Sequence, residues 1–167
     1  MSTNLEPDQK ESSENIITSD LQLVIFKING EEFGVNISDV KEIIRWTNVT
    51  NIPNTEPYIK GVINLRGNIV VINDLAMKLG LPSKQLDDET RILVVEVEGN
   101  TVGMIVDSAN EVLQIKKENV QNAPDIVMKN TNQNFVEGVG VLNENRLLTL
   151  LNLSKVFISM EDSIIKP

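Results

Sequence analysis

The sequence contains neither cysteine nor histidine. The first absence excludes a disulfide framework, a thiolate metal site and a thiol nucleophile. The second removes the commonest general base, the commonest metal ligand and any histidine phosphoacceptor. Positive charge is scarce too: 15 Lys and Arg stand against 24 Asp and Glu, for a net charge of -9. A protein that grips a phosphate backbone needs a basic footprint, so nucleic acid is not an expected partner. Aromatic residues are 4% of the chain, and no aromatic-basic face can be assembled from them. No apolar run reaches the ~20 residues of a membrane helix. The opening segment MSTNLEPDQKESSEN lacks the basic-then-apolar order of a secretory leader. The reading is a cytoplasmic protein without direct membrane insertion, bound metal or cofactor.

What is present suits a small globular protein. Of 167 residues, 41% are apolar and 23% charged, enough for one domain or two small lobes sharing a core. Residues 1–19 are polar and read as a flexible tail, and 161–167 as a fraying one. LQLVIFKI at 21–28 is followed by Asn29-Gly30, the strongest short hairpin signal, with a return strand over 32–37. Ser38-Asp39 offers a helix N-cap, and Val40, Ile43 and Ile44 follow at helical spacing. A short helix there would bury all three. After Pro53 and Pro57, KGVINLRGNIVVINDL at 60–75 reads as a second tight hairpin, with Arg66 beside its turn. A helical turn at 74–79 and a polar connector at 81–90 follow. RILVVEV, Glu98-Gly99-Asn100 and TVGMIVD then restart the strand–turn–strand pattern, and EGVGVLNENRLLTLLNL at 137–153 repeats the second hairpin.

The repeat has a register. A shift of 69 brings Gly30 onto Gly99, Gly34 onto Gly103 and Glu42 onto Glu111. A shift of 77 brings Gly61 onto Gly138 and Leu65 onto Leu142. One extra turn residue makes it 78, with Ile72 on Leu150 and Leu75 on Leu153. Small sheets protect their edges by curling closed. The expected fold is therefore all-β: two small five-stranded antiparallel barrels, SH3-like, with a groove between them. The expected bounds are 20–86 and 87–152, with a C-terminal helix at 152–160.

IKGVINLRGNIVVINDL at 59–75 resembles the signature of the CheW family of bacterial chemotaxis coupling proteins. FGVNISDVKEII, VGMIVDSANEVL and GVGVL support the likeness, which runs from about Leu21 to Phe157. Val71 departs from it, since family members often carry Pro there. The resemblance implies two β-barrel lobes and no catalysis. It also implies a bridge between the cytoplasmic tip of a chemoreceptor and the regulatory domain of the histidine kinase CheA. The protein would be a monomer alone and array-forming with its partners, at receptor arrays on the inner face of the membrane.

On residues, the resemblance places Arg66, Glu42, Ile37, Ile43, Val102 and Gly103 at the receptor groove. It places Val40, Val49 and Ile69 on a kinase-facing side. Arg66 has a planar five-donor fork that keeps its charge at ordinary pH, and it is expected to pair with Glu42. Each residue also has a plainer reading. Arg66 and Glu42 would be solvated charges, and Ile37, Val40, Ile43, Trp46 and Tyr58 core. Gly61 and Gly67 are read as structural glycines of the hairpin. Gly67 would supply positive φ, and Gly61 would permit close approach of another backbone. Asp87, Asp88 and Glu89 lie in a solvated loop rather than facing across a cleft, so no carboxylate pair suggests hydrolysis. The rival readings are the coupling module of another system such as surface motility, a CheV-like protein, for whose receiver domain the length leaves no room, and a nucleic-acid-binding small barrel.

Overall fold

The computed structural model describes residues 20–122 and 135–157. The expected tails lie outside the described residues. Among the described residues, eleven strands form two sheets. β1 (Asp20–Ile28), β2 (Glu31–Asn36), β8 (Ser108–Lys116), β9 (Val120–Gln121), β10 (Val136–Asn143) and β11 (Arg146–Leu151) make one, ordered β8-β1-β2-β11-β10-β9. β3 (Val40–Arg45), β4 (Ile59–Leu65), β5 (Asn68–Asp74), β6 (Arg91–Val97) and β7 (Asn100–Val106) make the other, ordered β3-β6-β7-β5-β4.

The expected hairpins form where their turn residues stand. Asn29-Gly30, Arg66-Gly67 and Glu98-Gly99 all have positive φ at both positions, the primed turn that matches strand twist. The expected lobe bounds do not coincide with the sheets. Each sheet takes one hairpin from each half of the chain, because β2 passes into β3, and β7 into β8, across the space between the sheets. Where the exchanged hairpins meet, β2–β11 and β5–β7 run parallel, so neither sheet is purely antiparallel. The six-stranded sheet exceeds the expected five by the two-residue β9.

The helix expected from Val40 is absent. Asn36 accepts from Ser38 N and caps a 3-10 turn of three residues, Ile37–Asp39, and β3 begins at Val40. Pairing with β6 overrides a three-residue helical spacing that no further turn supports. Ile43 is accordingly exposed. The helix expected at 74–79 forms over Leu75–Lys78, capped by Asp74 accepting from Met77 N. Residues 153–157 of the expected C-terminal helix are helical.

Alternate residues of the central strands feed different cores. Val24, Phe26 and Ile28 of β1, with Leu93, Val95 and Val97 of β6, belong to a large core shared by both sheets, in which Phe26 stacks on Phe33 at 5.9 Å. Leu23 and Ile25 turn the other way, to a small core with Ile115, Leu148 and Leu150. Ile92 and Val94 likewise join Ile63, Val70 and Ile72. Strands buried on both faces read as unbroken apolar runs, and VIF and ILVV are such runs.

Both sheets curl in the same manner. The chain leaving edge strand β3 returns to the opposite edge, where Thr50 and Val62 exchange backbone hydrogen bonds of 2.9 Å. The chain leaving edge strand β8 turns through Lys117–Asn119 and pairs as β9 with β10. The duplication extends to the bulges. Lys41 and Asn110, 69 positions apart, are each unpaired on an edge strand. Lys60 and Glu137, 77 apart, are unpaired in β4 and β10.

Glycine stands at each closure. Gly61, inside β4 at φ 144°, would place a Cβ 2.0 Å from the Thr50 carbonyl oxygen, and Gly138 would place one 2.9 Å from that of Gln121. Gly103 would meet side chains only, the flexible end of Ile72 at 2.5 Å and a methyl of Ile92 at 3.0 Å. Gly61→Ala is therefore expected to lose more stability than Gly103→Ala, by roughly 2 kcal/mol or more, since backbone cannot yield and the positive φ adds strain. Urea unfolding of the two variants measures the difference, and equal losses would contradict it.

Candidate functional site

The geometry centres on the β4–β5 hairpin. Leu65 and Asn68 form its last ladder pair, and Arg66 and Gly67 make the turn at φ 52° and 87°. The Gly67 N–H donates to the Asn64 Oδ1 at 2.8 Å. From this tip the guanidinium reaches Glu42 of β3 in two parallel bonds, Nη1 to Oε2 at 2.5 Å and Nη2 to Oε1 at 2.8 Å. The bulge at Lys41 decides which way β3 presents its side chains. Val40 faces the shared core, while Glu42 pairs opposite Val94 on the inner side of the five-stranded sheet. The pair thus ties the tip of the β4–β5 hairpin to edge strand β3.

The Arg66 side chain is 72% exposed and that of Glu42 24%. The carboxylate is held below its ordinary range, chiefly by the hydrogen bonds from Arg66. A bidentate pair so exposed contributes little to stability; it fixes where the charge stands. Most of the Arg66 side chain stays in solvent, so the arrangement is suited to polar recognition.

The other expected residues divide. Ile37 and Ile43 are exposed, Ile43 on the shared-core side of β3, opposite Leu93. Val102 is half-buried against the shared core. Gly103 is not at a surface: it is buried, and Ile72 and Ile92 fill the place of its missing side chain. A groove-lining role for Gly103 does not fit that position. Of the expected kinase-facing residues, Ile69 is 65% exposed on β5. Val40 packs on the shared core, and Val49 on the small core of the five-stranded sheet, so the three do not form one continuous exposed face. Trp46 also packs on that small core. Tyr58 packs on the shared core, with Lys78 Nζ 4.2 Å from its ring centre. Asp87 accepts from Lys84 at 2.8 Å and from Glu89 N, the bonds of a loop. Among the described residues no three acidic groups converge as a metal site, and no helix is long and apolar enough to cross a membrane.

A CheW-like domain matches residues 22–161. The chain belongs to the CheW family. It is 38% identical over 135 residues to chemotaxis protein CheW of Bacillus subtilis, covering 81% of this chain and 85% of that protein. Identity to the CheW of Klebsiella aerogenes is 35%, covering 86% of each. Among solved structures, the scaffolding protein TtCheW from Thermoanaerobacter tengcongensis superposes with a TM-score of 0.75 at 31% identity, covering 82% of this chain and 87% of that one.

Two features of this CheW-family site escaped the sequence reading. One is Asn64, whose bond to the turn has a signal only in its place, two residues before an Arg-Gly tip. The other is a second arginine clip. Arg146, at the start of β11, donates to Glu32 at 2.9 and 2.7 Å and to Glu111 at 2.5 Å. Glu111 is the repeat of Glu42, so in both sheets a glutamate just past the edge-strand bulge meets an arginine of the second hairpin. Only the repeat register pointed to it.

The Arg146 hydrogen bond is the largest cause holding Glu32 below its ordinary value of 4.5. A depressed carboxylate stabilises the fold above its unfolded value, and that contribution is lost as pH falls through the folded one. Arg146→Ala is expected to destabilise by about 1 kcal/mol at neutral pH, screening being considerable at a partly exposed clip. The deficit should shrink once pH drops below 4.5. Urea midpoints of both proteins at neutral and acid pH check this; a constant deficit would refute it.

Proposed function

We propose that the protein is a coupling adaptor of chemotaxis signalling that joins chemoreceptor cytoplasmic tips to the regulatory domain of the histidine kinase CheA. It controls kinase activity by geometry and makes no bonds of its own. Family membership carries the adaptor role. The observation that carries the receptor assignment is the exposed, bidentate Glu42–Arg66 pair at a rigid hairpin tip, where a charged fork can meet polar groups on a partner helix. Ile37 and Ile43, exposed on and beside β3, supply apolar contact for the same partner, since a stable interface needs a desolvated centre. Ile69 is the apolar anchor for the kinase, while Val40 and Val49 pack against the cores.

Family membership supports a non-enzymatic reading, and the sequence has neither histidine nor cysteine to serve as base or nucleophile. A cytoplasmic location at receptor arrays follows from the partners proposed. A CheW-like module of another CheA-type pathway, such as surface motility, would have the same surfaces.

Co-purification with a CheA regulatory domain and a receptor tip, singly and together, tests the reading. Arg66→Ala is expected to keep the unfolding midpoint and the kinase contact while lowering receptor affinity about tenfold, the scale of a charge-assisted hydrogen bond. Reversing both charges, Glu42→Arg with Arg66→Glu, should recover more receptor binding than either single reversal. Unchanged receptor affinity in Arg66→Ala would sink the receptor assignment. Failure to retain the kinase domain would sink the adaptor.

A further inference from the structure

Arg66 stands in a conformation that an arginine does not choose by itself. At φ 52° it occupies the left-handed region, where a side chain with a Cβ is strained and only Asn, Asp and Gly are at ease. Of the other non-glycine residues that open tight hairpin turns here, Glu98 at φ 49° shares this strain and Asn29 at φ 55° shows the contrast. Asn29 is a residue type suited to such a φ, and its N–H is also held by Asp107 Oδ2 at 2.8 Å. Arg66 has neither advantage. What stands beside it is Asn64, whose Oδ1 takes the Gly67 N–H at 2.8 Å. In a two-residue primed turn the flanking Leu65–Asn68 pair closes the ladder, and the N–H of the second turn residue is left outside it. Asn64 fills that vacancy across three residues, and the bond is formed only while Arg66 and Gly67 keep the primed geometry.

We infer that Asn64 is the positioning residue of the site: by locking Gly67 it holds Arg66 in the left-handed conformation from which the guanidinium reaches Glu42 and faces a partner. Asn64 is exposed, packs in no core cluster and lies across the ladder from Ile69, so its side chain has no competing structural duty among the described residues. The functional consequence rests on the proposal that Arg66 meets the receptor; the positional one does not.

The two parts separate experimentally in the full-length protein. Asn64→Ala removes the acceptor, whereas Asn64→Asp keeps an oxygen at the same place. NMR is expected to show faster amide exchange at Gly67 and loss of the protected Arg66 guanidinium signals in Asn64→Ala, both restored in Asn64→Asp. Core amides of β6 and the unfolding midpoint should stay as in the parent. Affinity for a receptor cytoplasmic tip fragment should fall about three- to tenfold in Asn64→Ala, the scale of one hydrogen bond, and recover in Asn64→Asp. Unaltered Gly67 exchange in Asn64→Ala, or failure of Asn64→Asp to restore it, would overturn the inference. So would unchanged receptor affinity in Asn64→Ala where Arg66→Ala weakens it. If Arg66→Ala itself leaves affinity unchanged, the receptor reading falls and the NMR arm alone decides the role of Asn64.

Discussion

Strands β1, β2, β6 and β7 pack on both of their faces, and the rest of the architecture answers to that constraint. Odd and even positions along β1 serve different cores: Phe26 and Ile28 belong to the core shared by both sheets, while Leu23 and Ile25 fill the small core of their own sheet. A slip of one residue would exchange the two sets and spoil both cores at once, so register is specified twice over. Where the strands crowd most, a side chain is dispensed with. Gly34 and Gly103, 69 positions apart, are buried with aliphatic groups of the small cores filling the space where a side chain would stand. The sheets therefore hold each other at fixed orientation, and anything attached to their edges inherits that rigidity.

Local chemistry was legible in the sequence, and pairing partners were not. Hairpins are set by neighbouring residues, so Asn29-Gly30, Arg66-Gly67 and Glu98-Gly99 could be placed from turn preferences alone. Which hairpin lies beside which is a long-range matter, and nothing within β1–β2 says that β8 and β11 flank it. The sequential lobes failed for that reason. The apolar runs VIF and ILVV were the available clue, since double-sided burial requires a neighbouring layer on each side. The helix expected at Val40 failed for a related reason. Valine and isoleucine at three- and four-residue spacing satisfy a helix and a bulged strand equally over so short a span, and the choice belongs to β6.

The site was legible to the extent that charge and turn coincide. Arg66 is conspicuous beside a glycine turn, and Glu42 follows from the family's pattern. Arg146 was not conspicuous, although it meets two carboxylates where Arg66 meets one. The two clips share a plan: in each sheet an arginine of the second hairpin is salt-bridged to the glutamate just past the edge-strand bulge. They differ in saturation. Arg146 spends three of its donor contacts within the chain and is one-third exposed, whereas the Arg66 fork leaves a larger part of its surface in water. A duplicated device has thus been kept closed in one sheet and left outward-facing in the other.

That asymmetry bears on how the proposed adaptor could control a kinase. On the proposed assignment, the residues for receptor and for kinase lie mostly on one sheet, and Arg66 and Ile69 share a single hairpin, three residues apart. A contact that displaces the tip is expected to displace Ile69 with it, because the two share one short hairpin whose strand β4 is tied by backbone bonds between Val62 and Thr50. Coupling of this kind needs no internal switch. It requires only that receptor states differ in how well they fit the tip, since an adaptor can bias a kinase equilibrium by no more than that difference. A stiff hairpin passes the difference on; a compliant one would dissipate it in its own rearrangement.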